Sequence, residues 1–475
     1  MSKIHGMMDV GKRSMMNSQT ALQTVGHNIA NKATEGYSRQ RVELQSHAPS
    51  ADGRLRIGMG SKAAQVTRVN NPYLEKQIGK ERGELGYQQG RADAMTRVEQ
   101  VYNEQVNKGL NSSVSDFFNA FREFSNNPES LSTRTQVKES ADFLTKDFKR
   151  VQGQLEGVQS DIDQQIYTHV TEINEVTREI ASLNEKIKMV QIAGGAPNDE
   201  RDRRDLLLKQ LGEKINIRSA EGEDGTVTVS AGTSALLVAG VESKGLEVRR
   251  TPASGIKGEG NYDLFLVSSP YSEPMKVTEQ MTGGSIGGLL EVRDKLIGDL
   301  LDDVDRMALG LASTVNELHS RGFDASGKAG GEFFRINEGS GRVGSKLQVA
   351  DSILRDVNKI AGASAPNSPG DNRVADAISQ LQFETLMTDQ GATLDEYYNS
   401  MVGKVGIQAR RAESAVESQK DIVKQLQNIR ESISGVSLDE ETTKLLEFQK
   451  AFDASARLIR TADELFDTVL SIKRM

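Results

Sequence analysis

The 475-residue sequence predicts a mainly α protein with a β insertion, arranged as nested domains: coiled-coil helices at the two termini, a long-helix bundle domain and an all-β domain. Three observations lead there. Apolar residues at both chain ends recur in alternating steps of four and three, the spacing of a coiled-coil seam. A heptad of about nine turns runs through the middle of the chain, with no proline between Pro128 and Pro197. Between the helical stretches, about sixty residues change to short apolar segments broken by Gly, Pro and Ser.

Composition narrows the function classes. A chain of this length predicts two to four domains. Lys plus Arg number 59 and Asp plus Glu 67, a net charge of −8 with no basic stripe carrying interleaved aromatics, which argues against a nucleic-acid partner. The absence of Cys excludes disulfides and thiolate metal sites. Lys12 and Arg13 interrupt Met7, Met8 and Met15, so the start does not read as a conventional secretory signal. No apolar run reaches membrane-spanning length, and no membrane insertion is expected.

Residues 1–70 predict a helix from about Lys3 to Asn31 with a seam of Ile4, Met8, Gly11, Met15, Ser18, Leu22, Val25 and Ile29, stopped by Thr34, Glu35 and Gly36. Two short strands follow, around Val42 and Leu44 and around Leu55 and Ile57, separated by Pro49, Asp52 and Gly53. Residues 71–216 and 285–437 predict a discontinuous helical domain that opens at Asn70, Asn71 and Pro72. Its first stripe is Leu155, Gln159, Ile162, Ile166, Val170, Ile173, Thr177, Ile180, Asn184 and Ile187. A second, Val416, Val423, Leu426 and Ile433 flanked by Ile422 and Ile429, is its expected antiparallel partner, and a third helix carries Leu296, Leu300, Val304, Met307, Leu311, Val315 and Leu318. Residues 217–284 predict a small all-β domain with Val227, Val229, Leu236 to Val238, Leu246, Val248, Leu264 and Leu266 on its strands.

Residues 438–475 predict the closing helix, with a seam of Leu445, Phe448, Phe452, Ser455, Ile459, Ala462, Phe466 and Val469. A nested order brings the ends together, so this helix is expected to pair antiparallel with residues 1–70. Each buried Leu, Ile, Met or Phe contributes roughly 1.5–3 kcal/mol, whereas Gly11, Ser18, Ser455 and Ala462 read as gaps. A second line, Ala451, Leu458, Leu465 and Ile472, makes the apolar face too wide for one partner. Two readings stand: termini that order only when neighbouring subunits cover them, or an intramolecular helix pair packed on the body.

Candidate chemistry is sparse. His5, His27, His47, His169 and His319 are far apart and none has HExxH spacing, so no metal site is expected. Gly58, Gly60 and the run Gly283, Gly284, Gly287 and Gly288 lack the Lys-Ser or Lys-Thr of a phosphate loop and read as a turn and a helix start. Asp199, Glu200, Arg201, Asp202, Arg203, Arg204 and Asp205 read as a solvated helix start with local ion pairs, or as a subunit contact. Glu440 and Glu441 read as solvated helix-start residues. Asn28 and Asn31 read as C-terminal caps or as hydrogen-bond donors between subunits. No catalytic residue and no cofactor is assigned.

The residues of "ALQTVGHNIANKATEGYSRQRVEL", with Asn28, Asn31, Thr34, Gly36, Tyr37, Ser38 and Arg39, resemble the N-terminal signature of the bacterial flagellar rod, hook and hook-associated proteins. The Tyr37-Ser38-Arg39-Gln40 ending is most similar to the hook-associated protein 1 family, the FlgK type. The closing segment "LLEFQKAFDASARLIRTADELFDTVLSI" and five interior segments, from Asn198, Gly283, Asn316, Gly370 and Tyr397, resemble the same family in the same order. The β insertion is short for that family.

This resemblance implies a nested axial protein acting as a structural subunit at the hook-filament junction. It implies helical self-assembly on the distal hook, contact with hook protein and with a second junction protein below the filament, and an extracellular flagellar location. Export by the flagellar type III route with a FlgN-type chaperone on the C-terminal helix is also implied, with the termini as the inner core and the β domain outermost. The expected assembly interface is Ile4, Met8, Met15, Leu22, Val25, Ile29, Leu445, Phe448, Phe452, Leu458, Ile459, Leu465, Phe466, Val469 and Ile472. The competing readings are a hook or distal rod protein and a flagellum-associated wall hydrolase; a hydrolase needs convergent acids in a cleft of an additional domain.

Overall fold

The structure is a computed structural model that describes the chain except residues 1, 53–54, 103–108, 252–259, 269–270, 272, 338–340, 388–390 and 475. It is 67% helical with small antiparallel sheets, a mainly α protein with inserted β segments. The order is α1 (Ser2–Ala30), β1 (Gln40–Ser46), β2 (Ser50–Asp52), β3 (Leu55–Ile57), β4 (Ser61–Arg68), α2 (Pro72–Val101), α3 (Leu110–Asn126), α4 (Leu131–Ile192) and α5 (Asn198–Lys214). Next come β5 (Ile217–Glu221), β6 (Val227–Ala231), β7 (Ala235–Ala239), β8 (Glu242–Ser243), β9 (Gly245–Arg250), β10 (Tyr262–Val267) and β11 (Met275–Lys276). The chain ends with α6 (Gly284–Glu291), α7 (Ile297–Arg321), β12 (Phe334–Ile336), α8 (Val343–Lys346), β13 (Leu347–Val349), α9 (Asp351–Arg355), α10 (Arg373–Gln380), α11 (Leu394–Ser434) and α12 (Leu438–Arg474).

Two compact units divide these elements. One holds residues 1–84, 173–245 and 419–475; the other holds 85–172 and 246–418. The first unit contains the chain ends. Here β1 and β4 form an antiparallel ribbon whose register shifts between Glu43 and Leu44, and β2 pairs with β3. Four strands therefore occupy the stretch where two were expected. The missed β4 is mostly polar and half-exposed, so it carries no apolar alternation to announce it.

The α4 stripe behaves as its spacing requires: in this unit Ile173, Thr177, Ile180, Asn184 and Ile187 are all buried. The α11 stripe does not, because Ile422, Ile429 and Ile433 are exposed while Val423 and Leu426 turn inward. Leu426 packs with Leu74 and Ile78 of α2. The expected α4 partner is replaced here by α2, to which α11 is tied by Gln419 on Glu81 and by an Arg430–Glu75 ion pair of 2.8 Å.

Residues 217–284 form two separate sheets, one in each unit. In the first unit, β5 to β8 make a four-stranded antiparallel meander. The buried Asn184 amide holds it to α4, donating to the carbonyls of Val227 and Gly240 and accepting from the Val227 N–H. Arg204 of α5 is buried and donates to Asn184, to the Gly225 carbonyl and to Glu221. In the second unit, β9, β10 and β11 form a three-stranded sheet. Its Tyr262 carbonyl accepts from the buried Arg293, which also pairs with Asp163 of α4 at 2.5 Å. Each group of strands is thus bound to helices by a buried arginine, a long-range pairing that strand patterning does not encode.

The second unit has an aromatic core: Phe117, Phe118, Phe121 and Phe124 of α3 with Phe148, Phe333 and Phe334, all buried. The glycine run explains itself here. A Cβ on Gly288 would lie 2.2 Å from the Tyr87 carbonyl oxygen, so α6 touches α2 backbone to backbone. His319 abuts Phe333, shares its Nδ1 with the Gly331 carbonyl at 2.7 Å and accepts at Nε2 from the Ala361 N–H at 2.9 Å. The ring is therefore neutral, with its proton on Nδ1.

Burial pushes His319 below the ordinary imidazole value, against smaller opposing effects of Gly331 and Asp324. The folded chain then binds fewer protons at this site than the unfolded one, so the associated stability is complete above about pH 6.5 and is lost as the pH falls below it. Denaturant midpoints of the wild type measured downward from about pH 8 should drop more steeply than those of His319→Gln. Parallel curves would remove His319 from the acid sensitivity.

Candidate functional site at the paired chain ends

The ends of the chain meet in an antiparallel pair. The His5 ring stacks on Phe466 with centroids 5.5 Å apart, Gly11 sits under Ile459 and Leu458, and Ser455 Oγ bonds Ser14 Oγ at 2.7 Å. At the far end Asn28 reaches Glu441. Of the small residues read as gaps from sequence, Gly11 and Ser455 are close-approach points, a Cβ on Gly11 falling 2.8 Å from Ile459 and Ser455 reaching Ser14, while Ser18 and Ala462 are buried. Small side chains let the two backbones come together and leave the larger ones to spread outward.

That spreading decides the surface. Of the expected interface residues whose side chains are described, only Val25 is buried; Ile4, Met8, Met15, Leu22, Ile29, Leu445, Phe448, Phe452, Leu458, Ile459 and Phe466 are half-buried. Leu465 and Val469 are exposed, as are Leu446 and Leu470, which the seam spacing missed. The side chain of Ile472 lies outside the described residues. A cavity of about 380 Å³ lies between the helix pair and the β1–β4 ribbon, lined by Ala21, Val25, Val42, Leu44, Phe448 and Ala451 among others.

Where α1 ends, a polar network fastens the pair to the rest of this unit. Asn28 is 1% exposed and every amide valence is used: Nδ2 donates to the Gln40 carbonyl and to Glu441 Oε2, both at 2.9 Å, while Oδ1 accepts from Tyr37 Oη at 2.7 Å and from the Gln40 N–H at 2.9 Å. Glu441 is fully buried and is neutralised by Arg39 Nε at 2.9 Å. This overturns its reading as a solvated helix-start residue. Glu440 does remain exposed, on the other arm of Arg39 at 2.8 Å. Asn28 is likewise an internal bridge, whereas Asn31 caps α1 through the His27 carbonyl.

The next residues continue the fastening. Gly36 takes φ +82°, a conformation open to glycine, and turns the chain against Leu206. Thr34 is exposed and bonds Asn31. The Ser38 N–H donates to Asp202 at 2.9 Å, and Arg68 pairs with both Asp202 and Asp205. Buried Arg430 donates to the carbonyls of Gly36 and Tyr37, and the Arg39 N–H to that of Ser434. The mixed-sign run at 199–205 therefore turns part of its charge inward. Burial raises the Asp202 carboxyl above its ordinary value even with Arg68 and Ser38 lowering it.

Tyr37 and His27 close the network. Burial first, then the charges of Asp199, Asp202 and Glu441, push the Tyr37 phenol far above its ordinary value. His27 Nδ1 lies 3.0 Å from Tyr37 Oη and its Nε2 lies 3.3 Å from Asp199. Asp199 also accepts from the Gln40 side chain at 2.8 Å. Gly36, Tyr37, Ser38, Arg39 and Gln40 are thus all joint residues. The partners Glu441, Asp202, Arg68 and Arg430 were not singled out for this role, because a charged residue in a polar stretch of helix or strand gives no sign of burial. Among the described residues no group of three His, Asp or Glu is placed to hold a metal ion, and no helix is long and apolar enough to cross a membrane.

Paired terminal helices locked to a body by a buried polar joint define a class of proteins, and comparisons identify it as flagellar. Residues 430–472, which span the joint and most of α12, match the C-terminal family of the flagellar basal body rod FlgEFG proteins. Residues 95–334 match the flagellar hook-associated protein FlgK helical domain, and the chain belongs to that FlgK family, whose members are structural components of the bacterial flagellum. Flagellar hook-associated protein 1 of Bacillus subtilis is 28% identical over 98% of this chain and 97% of its own length; that of Escherichia coli is 23% identical over 96% and 97%. The E. coli alignment is longer than this chain, so that relative carries residues absent here. The flagellar hook junction protein FlgK of Burkholderia pseudomallei shares the fold, with a TM-score of 0.68 at 15% identity over 75% of this chain and all of that one.

Removing Arg39 takes the shorter of two cationic contacts from the buried Glu441 carboxylate and leaves it the Asn28 amide and Lys444 at 3.5 Å. Arg39→Met should destabilise the protein by about 3 kcal/mol, while Arg39→Met with Glu441→Leu, which removes both charges, should recover most of that loss. Urea unfolding of the three proteins tests this; equal losses in the single and double variants would show that the ion pair is not what the joint depends on.

Proposed function

We propose that this chain is a structural subunit of the hook-filament junction that assembles helically on the distal end of the hook and connects it to the filament through a second junction protein. One observation carries the reading: after α1 and α12 pair, their large apolar side chains remain half-buried, and Leu446, Leu465, Val469 and Leu470 remain exposed. A monomer gains nothing from such a face. Neighbouring copies recover roughly 25 cal/mol for each Å² of it that they cover.

On this reading residues 1–70 and 438–475 form the inner core, the helical segments surround it, and the strands between 217 and 284 lie outermost. Before export, a FlgN-type chaperone covers the exposed stretch of α12. The protein acts by holding geometry and catalyses no reaction, and its working location is the extracellular flagellum.

Deleting residues 438–475 is expected to abolish retention at the hook and filament attachment. Leu465→Asp with Val469→Asp, which leaves the joint intact, should give a folded monomer with the same defect. Filament counts by electron microscopy and circular dichroism of the purified variant provide the readouts. Normal filaments on cells making the double variant would exclude the exposed face from assembly.

A further inference from the structure

We propose that the cavity between the helix pair and the β1–β4 ribbon is the receiving half of a head-to-tail contact, filled in an assembly by the free end of α12, around Leu470, of a neighbouring copy. This deepens the assembly reading above and rests on it. The groove has an apolar floor, where Ala21 and Val25 are buried, and a mouth at Leu44, which is 54% exposed. Arg41 and Lys444 add positive charge to its walls. The Arg41 side chain is 67% exposed and its contact to Glu43 is long, at 3.6 Å, while Lys444 reaches Glu441 at 3.5 Å.

The free end of α12 is the complement. Residues 461–470 hold Asp463, Glu464 and Asp467 and no base. Asp463, Asp467 and Leu470 stand at i, i+4 and i+7, so they share a face, and all three are exposed. Neither acid of that face has an ion-pair partner among the described residues. An acidic face with an apolar residue at its end thus matches an apolar groove with basic walls.

Helix geometry names the occupant as a second copy. α12 is one unbroken helix from Leu438 to Arg474, and the stretch from Phe448 to Asp467 spans roughly 28 Å of it, so the acidic end cannot reach the groove of its own chain. Lys444 and Ala451 line the groove, and Leu458 and Leu465 continue their line at steps of seven. Leu470, five residues beyond Leu465, is turned roughly 140° around the helix from that line. Groove and acidic face therefore point in different directions and cannot satisfy each other across a two-fold axis. Each contact leaves one groove and one acidic face unused, and further copies add to them. The contact is also small: a cavity of about 380 Å³ receives a few side chains, well short of the roughly 1,200–2,000 Å² buried in a stable interface. Dilute copies stay apart, and the contact holds when repeated along an assembly.

The test reverses charge on each side, in full-length chains made by cells lacking the wild-type protein. Arg41→Glu alone, and Asp463→Arg with Asp467→Arg, should each lower the fraction of hooks carrying filaments at least about tenfold, because like charges then face each other. All three substitutions in one chain should return that fraction to within about twofold of the wild type, and so should making the two reversed chains together, which match when they alternate. A triple variant no better than its parents, or normal filaments with Arg41→Glu, would overturn the groove contact. Recovery in the triple variant but not in the mixture would place the pairing within one chain and overturn it as well. Each of these results leaves the assembly reading in place, which fails instead if Leu465→Asp with Val469→Asp assembles normally. Circular dichroism of the purified monomers checks folding, and Leu44→Glu at the exposed mouth takes the place of Arg41→Glu in the same scheme if that variant folds poorly.

Discussion

The bond set around Asn28 is the constraint on which the first unit depends. A buried amide with four well-placed partners fixes the direction of α1, the path of residues 37–40 and the position of Glu441 at once. Because an unsatisfied buried carboxylate costs several kcal/mol, Glu441 depends on the convergence of Asn28 and Arg39 at 2.9 Å and of Lys444 at 3.5 Å. The paired helices therefore meet the rest of the unit in one defined way. A purely apolar contact of the same size would permit sliding by a turn; directional bonds between α1, α12 and the start of β1 do not.

The division of labour along the helix pair follows from side-chain size. Gly11 and Ser455 bring the helices together, and the joint at Asn28 supplies the register. Apolar bulk is displaced to the flanks. A helix pair that satisfied itself would place its largest residues between the helices, so the present arrangement sacrifices stability of the monomer for surface. That surface is the physical content of the proposed junction role.

Periodic features were legible in the sequence. The α4 heptad, the closing helix and the α7 stripe follow from spacing alone, because burial on a helix repeats with the backbone. Pairings chosen by single polar residues were not. Arg204, Arg293 and Asn184 decide which helix each group of strands joins, and nothing in the local pattern of residues 217–284 marks a boundary between two sheets. The α11 stripe misled for a related reason: its isoleucines keep helical spacing, yet Leu426 and Arg430 select α2, and Ile422, Ile429 and Ile433 are left outside. At the candidate site, the Gly36 to Gln40 stretch was visible as a pattern. The role of its partners was hidden, since Glu441 stands more than four hundred positions from Asn28.

The interleaving of the two units governs the order in which the protein can come into being. Residues 1–84 belong with residues 419–475, so the first segment to appear at any exit, ribosomal or secretory, waits for the last before its unit can close. Loop-closure entropy makes that long-range step the slow one. A chain passed end-first through a narrow conduit then cannot close its first unit until residues 419–475 have emerged, although the second unit, complete at residue 418, has no such wait.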